Sequence, residues 1–153
     1  MKIDIIWPTQ DHADYIAKHL REVDRIEAWA LHRLSPTMAV NGSLFLSEHS
    51  YTVLADDEPV LVFGVQPESM VSSTGVVWLL ATDNIIKIKK QFVKRCKNVL
   101  LDLIQDYDVV YNYVYTKNTT ALRWLKWLGF TIHPAEAMGA MGAEFHKVEY
   151  RRQ

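Results

Sequence analysis

Cysteine is nearly absent from this chain, glycine is sparse, and there is no excess of charge of either sign. One cysteine among 153 residues excludes an internal disulfide. That residue, Cys96, falls on the apolar side of a predicted helix, which suits a small buried side chain better than a reactive thiolate. No apolar run approaches the roughly 20 residues of a membrane span. Asp4 interrupts the short apolar run at the N-terminus, and no cleavage-site pattern follows it, which argues against a signal peptide. A cytoplasmic location is the expectation. The net charge is −1, so the molecule as a whole exerts no pull on nucleic acid or anionic membrane, and neither is an expected partner. Any anion site has to come from local clustering. Six histidines form no i,i+4 pair and no His/Cys cluster, so no metal site is expected.

What is present suits one domain, since no linker is long enough to divide residues 1–153. Ile3–Trp7 alternates as a short strand, and Thr9 is placed to cap a helix through Leu20. A second helix spans Glu22 to Leu34, with Val23, Ile26, Ala30, Leu31 and Leu34 on its apolar side. Ser35-Pro36 starts a third short helix towards Ser47, with Asn41-Gly42 as a candidate interruption. Tyr51–Ala55 and Val60–Val65 flank a hairpin turn, and Gly75–Ala81 suits a central strand. The longest helix runs from about Lys87 to Gln105 on the stripe Ile88, Phe92, Cys96, Val99 and Leu103. Val109–Tyr115 is the next strand. A helix from Asn118 stops at Gly129, Phe130–His133 is a strand, Pro134–Ala143 a loop, and Glu144–Tyr150 the last strand. The order β-α-α-β-β-β-α-β-α-β-β, with an extra turn before the second strand, implies an α/β (α+β) sandwich around a central mixed sheet of six or seven strands.

The segment Asn118-Thr-Thr-Ala121-Leu-Arg-Trp-Leu-Lys-Trp-Leu-Gly129-Phe130 sharpens this. Asn118 can cap the helix, Ala121 leaves room for close packing, and Gly129 lets the chain reverse before Phe130. In that pattern and in element order the chain resembles the GNAT (Gcn5-related N-acetyltransferase) superfamily. A closer likeness covers about Thr82 to His133. Tyr107-Asp108-Val-Val-Tyr-Asn112-Tyr113-Val114, Asn118-Thr119 and Arg123-Trp-Leu125-Lys126 resemble the small GNAT-like internal virion proteins of T7-like bacteriophages. That likeness implies a viral protein in the host bacterial cytoplasm or the virion.

The GNAT resemblance implies acetyl transfer from acetyl-CoA to a primary amine, on a small molecule or a host protein. Such chemistry needs an anion site, a donor for the thioester oxygen, a base and an acid. The resemblance places the anion site at the start of the long helix, where the family carries glycines. This chain has Asp83-Asn-Ile-Ile-Lys-Ile-Lys-Lys90 instead, and offers Lys87, Lys89, Lys90, Lys94, Arg95 and Lys97 with no acid between Asp83 and Asp102. A basic face that is merely solvated is the alternative. The family's thioester donor maps onto the backbone of Leu79, Leu80 or Ala81, and its cofactor arm runs beside Asn118 and Ala121. The helix tyrosine that serves as acid is replaced by Leu125, which leaves Tyr115 as the candidate acid, with Tyr111 and Tyr113 nearby. Glu27 is the first candidate base, ahead of His32 and Asp83; a plain surface glutamate is the alternative. Two functions follow: an acyl-CoA-dependent N-acetyltransferase, or a non-catalytic GNAT-fold phage protein that contacts the virion or a host protein.

Overall fold

The computed structural model describes residues 1–152. Strand β1 (Ile3–Ile6) leads into helix α1 (Gln10–Lys18). The helix opens on a reciprocal cap, with Thr9 Oγ1 accepting from the His12 N–H at 3.2 Å and the Thr9 N–H donating to His12 Nδ1 at 3.1 Å. Those bonds satisfy amides that a helix start leaves without partners. Helix α2 (Glu22–His32) ends in a left-handed residue, Arg33. Helix α3 (Pro36–Leu46) is capped by Ser35, with proline at its first position. Asn41-Gly42 does not interrupt it. Asn41 Nδ2 donates to the Thr37 carbonyl at 3.0 Å, and its Oδ1 accepts from Gln10 Nε2 of α1 at 3.1 Å. The third helix expected from Ser35-Pro36 is therefore continuous to Leu46, although the element order counted it only as a turn.

Strands β2 (His49–Ala55) and β3 (Glu58–Pro67) meet at Asp56 and Asp57, both with positive φ. That is the backbone a two-residue hairpin turn demands. Then follow β4 (Thr74–Ala81), α4 (Ile85–Leu103), β5 (Val109–Tyr115) and α5 (Thr119–Leu128). The chain finishes with β6 (Thr131–Ile132), β7 (Glu136–Ala137) and β8 (Glu144–Arg151). The two-residue β7 lies inside what reads as a loop and pairs antiparallel with β8, the strand that follows it.

The eight strands form one sheet ordered β1-β2-β3-β4-β5-β8-β6, with β7 also on β8. All pairs are antiparallel except β4 with β5. Alternation sends successive side chains to opposite faces. Val62 and Trp78 pack with Ile16 and Val40 of α1 and α3. Leu61, Phe63 and Val110 pack on the other face against Ile88 and Phe92 of α4 and Leu128 of α5. Cys96 is buried in that second layer, as its helix position implies.

One break in the sheet positions the site. β4 and β5 pair only at their beginnings, from Thr74↔Val109 to Val76↔Tyr111. Asn112 Nδ2 then donates to the Val77 carbonyl at 2.6 Å. Beyond that bridge the two strands diverge.

Candidate functional site

The gap between β4 and β5 is occupied by side chains of α2. The Thr82 N–H donates to the Val60 carbonyl at 2.8 Å, which fixes the alternation along β4. Leu80 turns its amide to β3, whereas Leu79 and Ala81 turn theirs to the gap. Ala81 is already engaged there. Its N–H donates to Asp24 Oδ2 at 3.0 Å, and its carbonyl accepts from the Arg21 N–H at 2.9 Å. Of the three candidate thioester donors, Leu79 is thus the one whose amide faces the gap without that clamp.

Asp24 is 3% exposed. Burying a carboxylate is costly unless it is paired and hydrogen-bonded. Arg21 pairs it in two-pronged fashion, Nε to Oδ2 at 2.9 Å and Nη2 to Oδ1 at 3.0 Å. Burial pushes the Asp24 carboxyl up, and the Arg21 guanidinium and the Ala81 amide act against that rise.

One turn further along α2, Glu27 Oε1 accepts from Asn118 Nδ2 at 2.8 Å. Asn118 also caps α5, its Oδ1 accepting from the Ala121 N–H at 3.3 Å, so both amide groups of one side chain are used. Burial raises the Glu27 carboxyl to about 7, with the Asp24 charge adding to the rise and the Asn118 amide opposing it. A carboxyl tuned to that range can take or give a proton near neutral pH. The backbone of Tyr115 belongs to the same cluster: its carbonyl accepts from the Asn118 N–H at 2.9 Å, and its backbone also opposes the rise at Glu27. The Tyr115 ring lies 5.6 Å from the ring of Phe145. Glu27, Asn118 and Tyr115 are therefore brought together. His32, at the far end of α2, is exposed and apart from them.

The start of α4 differs from the expectation. The Ile85, Ile86 and Lys87 amides donate to the carbonyls of Thr82, Asp83 and Asn84 at 3.2, 3.3 and 3.0 Å. Asn84 is already helical, at φ −65° and ψ −10°. Amides closed on their own turn cannot wrap a phosphate. Lys87, Lys89 and Lys90 are exposed around that start.

The surface also carries two open clefts, each of about 340 Å³. One is lined by Tyr15, His19, Arg25, Thr82 and Asp83. The other is lined by Tyr113, His133, Glu136, Phe145 and Lys147. Elsewhere the fold gathers Glu48, His49 and Asp106, a set that chain spacing does not reveal. His49 Nε2 lies 3.6 Å from Glu48 Oε1 and 3.7 Å from Asp106 Oδ2, so an imidazole shared by two carboxylates accounts for it.

Sequence reasoning missed Arg21, Asp24 and Asn112. An acid one and two turns ahead of Ala28 and Leu31, with arginine three residues before it, was the available signal for Asp24. Asn112 stood inside the motif Tyr107–Val114 without a role.

This architecture is that of the GNAT fold. Spermidine N-acetyltransferase from Vibrio cholerae, solved with CoA and spermine, superposes with a TM-score of 0.71 at 10% identity over 97% of this chain and 95% of that one. Ard1 from Thermoplasma volcanium gives 0.73 at 13% identity over 100% and 99%. YncA of Salmonella typhimurium, solved with its cofactor acetyl-CoA, gives 0.73 at 11% identity over 99% and 94%. At such identities the likeness concerns the fold alone. No curated protein is a detectable sequence relative. Residues 60–136 match the family described as "Bacteriophage T7, probable scaffold protein Gp13", and the chain belongs to that family.

The pyrophosphate of acetyl-CoA, the cofactor that the GNAT resemblance implies, finds no free amides at the first turn of α4. The α4 amides are consumed by their own turn, no glycine frees that backbone, and the Asp24 carboxylate holds the Ala81 amide.

Proposed function

We propose that this protein is a virion-associated or host-protein-binding module that keeps the GNAT shape without acetyl transfer. The observation that carries this reading is the closure of the first three α4 amides onto Thr82, Asp83 and Asn84. Membership in a phage family described by a scaffold protein supports it. So does the surface of α2 and α3, where Trp29, Met38 and Phe45 are 58%, 55% and 88% exposed; large exposed apolar groups are typical of protein contacts. Titration of acetyl-CoA against the purified protein in a thermal melt tests it. A ligand at 100 times its dissociation constant adds about 2.7 kcal/mol of stability. No shift in Tm is expected up to millimolar acetyl-CoA, and a shift of several degrees at micromolar concentrations overturns the reading.

Acyl-CoA-dependent transfer to a primary amine is the second reading, favoured by Glu27 at about 7 beside Asn118. It requires amine-dependent release of free thiol from acetyl-CoA, lost in Glu27→Gln.

A further inference from the structure

Charge is segregated in this chain to a degree that its net value of −1 conceals. Residues 84–101 and 116–131 hold nine of the 17 lysines and arginines and none of the 18 acids. Those two stretches comprise most of α4 and all of α5. The helices are in contact, with the Phe92 and Trp124 rings 5.9 Å apart. The molecule therefore has one strongly cationic flank.

Within that flank the cations are ordered. Lys87, Lys90, Lys94 and Lys97 follow one another at steps of three, four and three residues, so they share one side of α4. It is the side opposite Ile88, Phe92 and Cys96, which are buried. All four lysines are exposed, and among the described residues no acid lies within ion-pair distance of any of them. At 1.5 Å per residue the row is about 15 Å long. Like charges at i,i+3 and i,i+4 weaken a helix by about 0.2–0.5 kcal/mol per pair, and a cation in the first turn opposes the macrodipole. The row thus costs helix stability with no internal compensation.

We infer that the outward face of α4, flanked by α5, binds the phosphate backbone of a nucleic acid without regard to sequence. A row of this length fits a ligand whose charges repeat along a line. Duplex DNA carries one charge per roughly 1.7 Å of axis, so several phosphates fall within its reach. A single pyrophosphate at the start of α4 leaves Lys94 and Lys97 unused, since they lie about 10 and 15 Å further along the axis. An anionic membrane is a poorer match, because the apolar side of α4 is committed to the core and cannot insert. An acidic protein surface is poorer too, because lysine is depleted in protein interfaces. On α5, Arg123 and Lys126 are exposed, with Trp127 beside them at 58% exposure. An indole there supplies a stacking platform for an unpaired base. This inference is independent of whether acyl-CoA binds.

Fluorescence anisotropy with the full chain and a labelled oligonucleotide, single- or double-stranded, tests the proposal. Four phosphate contacts predict an affinity for duplex that falls on the order of a hundredfold between about 50 and 200 mM salt. The double substitution Lys90→Glu with Lys94→Glu reduces binding at least tenfold, while its thermal melt matches the parent. Lys90→Gln with Lys94→Gln gives a smaller loss in the same direction and guards against a folding defect in the charge reversal. Trp127→Ala weakens single-stranded binding more than duplex binding. Absence of binding at low salt overturns the proposal, as does binding unchanged by the lysine substitutions. Poly-glutamate binding as tightly as DNA, or anionic phosphatidylglycerol vesicles binding where DNA does not, also overturns it.

Discussion

Helices α2 and α4 solve the same packing problem in opposite ways. α4 follows the amphipathic rule, with Ile88, Phe92 and Cys96 in the core and lysines outward. α2 inverts it. Asp24 is buried and Glu27 is largely so, whereas Trp29 and Ile26 are 58% and 40% exposed. Of the predicted apolar side of α2, Ala30 is buried and Val23, Leu31 and Leu34 are half-buried, but Ile26 faces outward and Asp24 takes an inward place. Hydrophobicity orients a helix only when no stronger claim is made on its polar groups. In α2 that claim comes from the diverging strands. The Ala81 amide and the Asn118 side chain present donors at the gap, and two carboxylates one turn apart meet them. α4 runs over a closed, apolar sheet face and meets no such demand.

The contrast can be broken most severely at Asp24. Asp24→Ala leaves the Arg21 guanidinium and the Ala81 N–H without their partner, and removal of one member of a buried pair costs about 3–5 kcal/mol. Urea unfolding checks this; a loss below about 1 kcal/mol shows that the inward carboxylate is not what orients α2. Glu27 sharpens the comparison through pH. Its carboxyl sits at about 7 when folded, against 4.5 ordinarily, so the folded chain holds that proton more tightly than the unfolded chain. Stability from this group is present below pH 4.5 and is lost as pH rises through 7, by roughly 3 kcal/mol. Glu27→Gln removes that part of the decline between pH 4.5 and 7.5, measured as denaturant midpoint against pH. The smallest effect belongs to α4. Lys94→Ala changes stability by less than about 0.5 kcal/mol, as expected of an exposed side chain with no partner, and a calorimetric Tm within two degrees of the parent confirms it.

Punctuation and periodicity made most of the fold legible. Thr9, Ser35-Pro36, Asn118 and Gly129 start or stop helices where their chemistry says they should. The stripe of α4 is local and strong. Contacts distant in the chain carried the failures. Asn41 keeps α3 continuous partly through Gln10, 31 residues away. β7 is a nearer case, two residues held by the following strand β8, too short a run to show alternation. The choice of Glu27 identified a residue that the fold buries beside Asn118, since a carboxylate on α2 and an amide at the α5 start could be placed by family likeness. The companion Asp24 carried only the local signal of Arg21 three residues before it, because the backbone amide that draws it inward lies 57 residues further on. For the same reason the lysines of α4 could be named, but the consumption of the amides beneath them could not.

The hold of Arg21 and Asp24 on Ala81 has one more consequence. A strand that parts from its neighbour presents free N–H and C=O groups, which are a template for a foreign strand and a hazard for aggregation. Here the gap-facing peptide groups of Ala81 are both taken, and Leu20 forms an antiparallel bridge to Thr82 just beyond. At the other end Asn112 occupies the Val77 carbonyl. The opening in the sheet is thus shut at both ends against strand addition, which lets the fold retain a split sheet without becoming adhesive.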